Sequence, residues 1–237
     1  MKPTDFVLLV KRPAPGRVKR RLAEGIGPGH ASALYETFVA DILATFARAR
    51  VVPTICYHPP GAAAFFRRWL GDGHRFLAQK GLDHPGRLSR VFEDLFARGS
   101  ERVIIVASDN PDLPGGILRK AREALGKNEA VIGPTLDGGY YLIGFRAGSF
   151  VPGAFSGIDW STPRVLGQTV ARVRDAGRSV AVLPRWSDVD NLEDLQALAS
   201  RGGAPAFRRS ATMEYLREHP EVLNRDGREK GGRVKDA

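Results

Sequence analysis

Seven short apolar runs, separated by stretches of helical periodicity, restrict this chain to an α/β architecture. The runs fall at residues 6–12, 51–57, 75–79, 103–108, 130–135, 139–145 and 179–184. Most are rich in Val, Ile, Leu or Phe and lack the polar alternation of a strand with one wet face, so they read as strands covered on both sides. Within 29–48, Leu34, Phe38, Ile42 and Phe46 recur every fourth residue. Within 87–98, Leu88, Val91, Phe92, Leu95 and Phe96 form a second stripe. Segments 114–125, 162–175 and 191–200 also read as helices, the first opened by Pro114 and the second by Ser161-Thr162-Pro163 as cap and first turn. Alternating strands and helices predict a three-layer α/β/α sandwich around a mostly parallel sheet. Only Leu136-Asp137-Gly138 separates 130–135 from 139–145, too short for a parallel crossover. The sheet is therefore expected to be mixed, reversing near Gly138-Gly139.

The 237 residues suffice for one such domain, expected over 1–200, followed by a basic polar extension over 201–237. The extension has one helical candidate, 210–219, and its end from Asn224 to Ala237 is expected to be disordered. The net charge of +10 is uneven, with +6 in residues 1–21, +1 in 22–200 and +3 in 201–237. A nucleic-acid binder more often spreads its cations along a helix or face, which disfavours that partner. The longest apolar run near the N-terminus is five residues, too short for a signal peptide or membrane span. Cys56 is the single cysteine, which excludes a disulfide framework and a cysteine metal cluster. A cytoplasmic protein with no membrane partner is expected, its oligomeric state left open.

The cationic excess sits in the first strand-to-helix turn. Lys11-Arg12-Pro13-Ala14-Pro15-Gly16-Arg17-Val18-Lys19-Arg20-Arg21-Leu22 carries six cations in twelve residues. Pro13 and Pro15 stiffen the turn and Gly16 lets it bend, which suits a polyanion such as the phosphates of a nucleotide. The turn is neither a Walker A loop nor a Gly-x-Gly-x-x-Gly dinucleotide loop.

Asp109 comes just past the run Val103-Ile104-Ile105-Val106, after Ala107-Ser108, at a strand's carboxyl edge, where α/β folds bind ligands. A hard divalent cation such as Mg²⁺ favours such an oxygen donor, whereas Asp112 reads as a helix-start residue. Alternation in an extended Ser187-Asp188-Val189-Asp190-Asn191 aims both acids the same way. One can supply a second metal ligand while the other, or Asn191, caps the next helix. In Thr135-Leu136-Asp137-Gly138-Gly139-Tyr140-Tyr141 the paired glycines permit close approach of a ligand, and Asp137 can hold a sugar hydroxyl or a nucleophile. Gln79, in Gln79-Lys80-Gly81-Leu82-Asp83, can read a base edge. Asp159-Trp160-Ser161-Thr162 is a candidate wall of an acceptor pocket, and the five histidines, lacking ligand spacing, read as structural or surface residues.

Together, Lys11-x-Pro-x-Pro-Gly-x-Val-Lys-x-Arg-Leu22, Gln79-x-Gly81, Ser108-Asp109-x-Pro-Asp-Leu113, Asp137-Gly-Gly-Tyr-Tyr-Leu-Ile-Gly144, Ile158-Asp-Trp-Ser-Thr162 and Asp188-Val-Asp190 resemble one family. It is the bacterial family of radical-SAM/selenodomain-associated transferases, in the nucleotide-diphospho-sugar transferase (GT-A) superfamily. That superfamily includes molybdenum cofactor and phospholactate guanylyltransferases. The resemblance covers about residues 5–200. It implies phosphate binding at Gly16 and Lys19, with Lys11, Pro15, Arg17 and Arg20 beside them and Gln79 and Gly81 toward the nucleotide. It implies a Mg²⁺ or Mn²⁺ site at Asp109 with Asp188 or Asp190, and an acceptor side at Asp137, Gly138, Gly139, Trp160, Ser161 and Thr162. The chain departs from the pattern at Arg20 and Asn191, where threonines are expected.

The expected activity is nucleotidyl transfer from a nucleoside triphosphate to a phosphorylated small molecule, with Lys19, Asp109 and Asp137 as catalytic candidates. Glycosyl transfer from a nucleotide-sugar is the alternative within the same fold. A non-catalytic nucleotide or nucleic-acid binder is the alternative outside it.

Overall fold

A computed structural model describes residues 4–202 and 205–224. Seven strands, β1 (Asp5–Lys11), β2 (Thr54–His58), β3 (Phe76–Ala78), β4 (Arg102–Val106), β5 (Ala130–Pro134), β6 (Tyr140–Arg146) and β7 (Val180–Val182), form one sheet in the order β3-β2-β1-β4-β6-β5-β7. All are parallel except β6, which runs antiparallel between β4 and β5. The reversal follows from the short 135–139 connection, but the hairpin alone does not dictate that β6 inserts beside β4. The sheet is the mixed, mostly parallel centre of an α/β/α sandwich.

The helices are α1 (Arg20–Ile26), α2 (Pro28–Arg48), α3 (Ala63–Leu70), α4 (His84–Ala97), α5 (Gly115–Lys127), α6 (Val165–Asp175), α7 (Leu192–Arg201) and α8 (Ala211–Glu218). On one face, Val39, Ile42 and Phe46 of α2 and Ile117, Leu118 and Ala121 of α5 pack on Phe6, Leu8, Ile104 and Val106. On the other, Leu88, Val91, Phe92 and Leu95 of α4 meet Val7, Val103, Ile105 and Phe145. Phe92 stands edge-on to Phe145 at 5.2 Å and stacks on Phe155 at 6.0 Å, fixing α4 to the sheet and to the 152–155 turn.

Helices α1 and α3 lie where no periodic stripe announced them. Each is short and buries few side chains, Leu22 and Ile26 in α1 and Phe66 in α3. Helix α6 begins at Val165, so Ser161-Thr162-Pro163 is not its cap and first turn. Ser161 takes a left-handed φ of 63°, and the Thr162 hydroxyl donates to the Asp159 carbonyl at 2.7 Å, making a separate turn before the helix. Strand β2 starts at Thr54 rather than residue 51, beyond Pro53, which has no N–H for a ladder.

Beyond residue 200, α8 occupies most of the expected 210–219 helix and packs against α2. Phe207, Leu216 and Val222 join Leu34, Phe38, Leu195 and Leu198 in a third apolar cluster. The expectation of disorder from Asn224 onward concerns residues that, beyond Asn224 itself, lie outside the described ones. No helix among the described residues is long and apolar enough to cross a membrane.

Candidate active site

Strands β1 and β4 are parallel neighbours, with Leu8 level with Val106, so the turns leaving their carboxyl ends begin side by side. Tyr35 of α2 joins those turns, its hydroxyl accepting from the Lys11 amide at 2.8 Å and lying 2.9 Å from Ser108 Oγ. A third turn arrives from β7. The Val189 amide donates to the Asp109 carbonyl at 3.0 Å, and Asn110 Nδ2 donates to the Ser187 carbonyl at 2.8 Å. Residues 19, 109 and 190 thereby meet across most of the chain's length.

In the first turn, the Arg17 amide closes onto the Ala14 carbonyl, and Gly16 holds a φ of 73° that side chains disfavour. Lys19, at the cap of α1, is itself left-handed with φ 46°. This strained backbone turns its buried ammonium inward, where it forms ion pairs with Asp109 Oδ1 and, at 3.0 Å, Asp190 Oδ1. Burial would lower the Lys19 pKa, but both carboxylates overcome it and raise the value above the ordinary lysine range. Burial would raise that of Asp109, but the charge and hydrogen bond of Lys19 outweigh it and hold it low. This charged cluster borders a cleft of about 380 Å³ lined also by Lys11, Arg17, Arg20, Arg21 and Arg87.

The predicted nucleotide residues separate in space. Lys11, Arg17, Lys19, Arg20 and Gln79 line the cleft. Gln79 is anchored there by donation from Nε2 to the Cys56 carbonyl at 2.8 Å. Pro15 and Gly16 shape the turn without lining the cleft, and Gly81 borders a neighbouring groove. A Cβ on Gly81 would lie 2.9 Å from the Arg87 amide nitrogen, so packing accounts for that glycine.

Asp190 also belongs to a second group: one carboxylate oxygen each from Asp137, Asp188 and Asp190 lie within 4.8 Å of one another. Asp137 Oδ1 accepts from the Thr135 hydroxyl and, at 3.0 Å, from the Gly139 amide. Burial, then the charges of Asp137 and Asp190, push the Asp188 carboxyl up to about 7. Three converging hard oxygens, one of them hard to ionise, fit a divalent cation.

The grouping differs from that expected from the sequence, because Asp109 is engaged by Lys19 while Asp137 stands with Asp188 and Asp190. Helix α7 is capped by Asn191, whose side chain accepts from the Asp194 amide at 2.9 Å, so neither Asp188 nor Asp190 is needed as its cap. Asp112 is also structural, accepting from Trp186 Nε1 at 2.9 Å and pairing with Arg201.

A second cavity of about 550 Å³ adjoins the first, with Asp190, Arg21, His84 and Tyr140 lining both. Asp137, Gly139, Trp160, Ser161 and Thr162 line this second cavity, bringing most of the expected acceptor residues together. Gly138 is excluded from the lining; a Cβ there would fall 2.3 Å from the Pro163 carbonyl oxygen, so its role is to let two loops touch.

The family model described as "Uncharacterized protein conserved in bacteria (DUF2064)" matches residues 42–162. A proposed nucleotide-diphospho-sugar transferase from Desulfovibrio desulfuricans G20 is 42% identical, with TM-score 0.88, covering 94% of this chain and 97% of its own. The chain belongs to the DUF2064 family. The 4-diphosphocytidyl-2C-methyl-D-erythritol synthase of Anaerococcus prevotii DSM 20548 is 16% identical at TM-score 0.51, covering 81% of this chain and 94% of its own. The bifunctional IspDF of Campylobacter jejuni is 10% identical at TM-score 0.51, covering 81% of this chain and 53% of its own. At those identities the likeness is one of fold, the α/β fold of GT-A-type transferases. No protein of curated function matches the sequence.

In this DUF2064 member the sequence alone does not single out Tyr35, His84 and Arg87, and it marks Arg21 only as one of the six cations of the first turn. From its spacing His84 reads as a structural or surface residue, yet its ring packs edge-on to Trp160 at 5.2 Å between the two cavities. Burial, then Lys11 and Arg87, lower its pKa to about 4, so the ring is neutral at pH 7. Its signal is local: Asp83-His84-Pro85 is a helix start, with Asp83 accepting from the Gly86 amide at 2.8 Å, reached through a short turn from the carboxyl end of β3. Tyr35 carried no such signal, because it lies on a helix face otherwise devoted to the core.

Proposed function

We propose that this protein is a divalent-metal-dependent nucleotidyltransferase that joins a nucleoside triphosphate to a phosphorylated small molecule and releases pyrophosphate. One observation carries the reading. Lys11, Arg17, Lys19, Arg20, Arg21 and Arg87 line a cleft that shares Asp190 with the adjoining cavity, where Asp137 and Asp188 complete the acidic cluster. A polyphosphate bound between cations and acid-held metal satisfies both sides at once.

Lys11, Arg17, Arg20 and Arg87 bind and orient the phosphate chain. Asp109 and Asp190 position the Lys19 ammonium, whose charge favours negative charge developing on the leaving pyrophosphate. A magnesium or manganese ion held by Asp188 and Asp190, with Asp137, would supply positive charge beside the phosphates. Trp160, Ser161 and Thr162 bound the acceptor, whose phosphate oxygen bonds to the α-phosphorus as the bond to pyrophosphate breaks. A phosphate nucleophile requires no general base, so alignment and fixed charge account for the protein's share.

The family kinship and fold are those of a transferase. The motif pattern supports placement among the radical-SAM/selenodomain-associated members. All of these groups lie within residues 1–200, supporting that span as the transferase unit. Kinship to a proposed nucleotide-diphospho-sugar transferase favours a second reading, transfer of a sugar from a nucleotide-sugar to an acceptor hydroxyl. The test supplies nucleoside triphosphates with phosphosugars and follows pyrophosphate, against nucleotide-sugars with release of nucleoside diphosphate. Acceptor-dependent pyrophosphate supports the first reading, and nucleoside diphosphate release alone replaces it with the second.

A further inference from the structure

A second constellation lies away from the cleft, where the C-terminal segment folds back on α2. His30 of α2 meets His219 and Glu221, which follow α8, and one ligand atom from each of the three lies within 4.8 Å of the others. Both imidazoles address the same carboxylate oxygen. His219 Nδ1 is 3.2 Å from Glu221 Oε1 and His30 Nε2 is 4.0 Å from it. The rings lie 5.3 Å apart at 63°, so they converge without stacking.

We infer that His30, His219 and Glu221 form a binding site for a divalent transition-metal ion that pins the C-terminal segment to α2. Two imidazoles and a carboxylate are donors that suit zinc, cobalt or nickel better than magnesium. The hydrogen bonding around the site favours this role. His30 Nδ1 lies 2.7 Å from the Tyr215 hydroxyl. With a proton on Nδ1 donated to that oxygen, Nε2 presents its lone pair toward Glu221, the outer hydrogen bond that commonly orients a metal-binding histidine. The three side chains are between about one-third and one-half exposed, which leaves room for water to complete the coordination.

The ligands are separated in sequence by 189 residues, so a bound ion cross-links the two ends of the described chain. Helix α2 also carries Tyr35, which holds the Lys11 and Ser108 turns together. A clip at His30 thus acts on the helix that braces the cleft, without touching the cleft itself.

The test uses the untagged full chain, stripped with chelator, with Asp188→Asn and Asp190→Asn introduced to remove the cleft's acidic cluster. Zn²⁺ titrated by calorimetry should bind with a stoichiometry of one, and Co²⁺ should give the visible bands of an imidazole-ligated ion. Zn²⁺ should also raise the melting midpoint, because it binds the folded form. Adding His219→Ala or Glu221→Gln should weaken Zn²⁺ by at least about tenfold and abolish the midpoint shift. Circular dichroism verifies folding, and exposed Glu221→Gln serves where His219→Ala does not fold. Absence of Zn²⁺ binding in the cleft variant, or undiminished binding in Glu221→Gln, overturns the inference.

Discussion

On the β1 side of the cleft, opposite charges are built in as a matched set, Lys19 bonded to Asp109 and Asp190. On the β6 side, Asp137 and Asp188 crowd against Asp190, and Asp190 is the one member of that trio paired to a lysine or arginine among the described residues. The first side is complete without a ligand and acts as a fixed scaffold. The second is electrostatically incomplete, and burial makes it more so, as the raised Asp188 carboxyl reports. Asp190 belongs to both. The contrast shows how one carboxylate can couple a rigid phosphate side to a side that demands a cation.

The strongest way to break this comparison is to remove its shared elements. Lys19→Ala and Asp190→Ala should each lower turnover by about a hundredfold or more, the scale of a lost charge-stabilising donor. Steady-state turnover of folded variants at saturating nucleotide checks this. A loss below about tenfold would reduce Lys19 to a structural ion pair. Next in size, Asp188→Asn should weaken binding of Mn²⁺ by about 10- to 100-fold, a range typical of damage to a metal site, with Lys19→Ala changing it less. Titration followed by the ion's magnetic resonance separates the two sides.

Trp160→Ala should raise the acceptor KM by roughly tenfold while nucleotide affinity stays unchanged, since the ring's burial is worth a few kcal/mol at most. Equal effects on both substrates would merge the two cavities into one site. Tyr35→Phe removes a hydroxyl bridging Lys11 and Ser108 and should cost about 1–2 kcal/mol of stability, measured by urea unfolding.

The smallest effects are pH slopes, and the two sides should differ in sign. The Asp109 carboxyl is depressed, so its contribution is present above the unfolded value and is lost as pH falls through its lower folded value. Lys19 is raised, so its contribution is present below 10.5 and is lost only as pH rises through the higher folded value. Asp188 is raised to about 7, so ionising it opposes folding. His84, lowered to about 4, acts in the opposite direction over much of this window, so in chelator the Asp188 contribution is read as a difference: the stability of Asp188→Asn relative to the wild type should increase as pH rises from about 4 to about 7. A difference between Asp188→Asn and the wild type that is the same at both pH values would remove the crowded-acid side of the comparison.

Much of this site was legible in the sequence because strand ends in an α/β sheet fall on one edge. Asp109 after Val103-Ile104-Ile105-Val106, and the cationic turn after β1, needed only that rule to be placed near each other. The acids at 188 and 190 followed from alternation about Val189, which is fully buried. Gly81 and Gly138 were legible as constrained positions, but not in purpose. A glycine required by packing against a neighbouring backbone reads the same as one required by a ligand.

What the sequence determined by itself was periodic or local: seven strands, the stripes of α2 and α4, the reversal at 135–139 and the six-cation turn. Only the tertiary structure decided that β6 inserts between β4 and β5, that Lys19 bonds to Asp109 and Asp190, and that Asp137 joins the two acids from beyond β7. Local patterns set which side chains are buried and which way each segment turns. Long-range charge pairing depends on distances of a few ångströms between segments up to 171 residues apart, and those are fixed only when the whole sheet assembles.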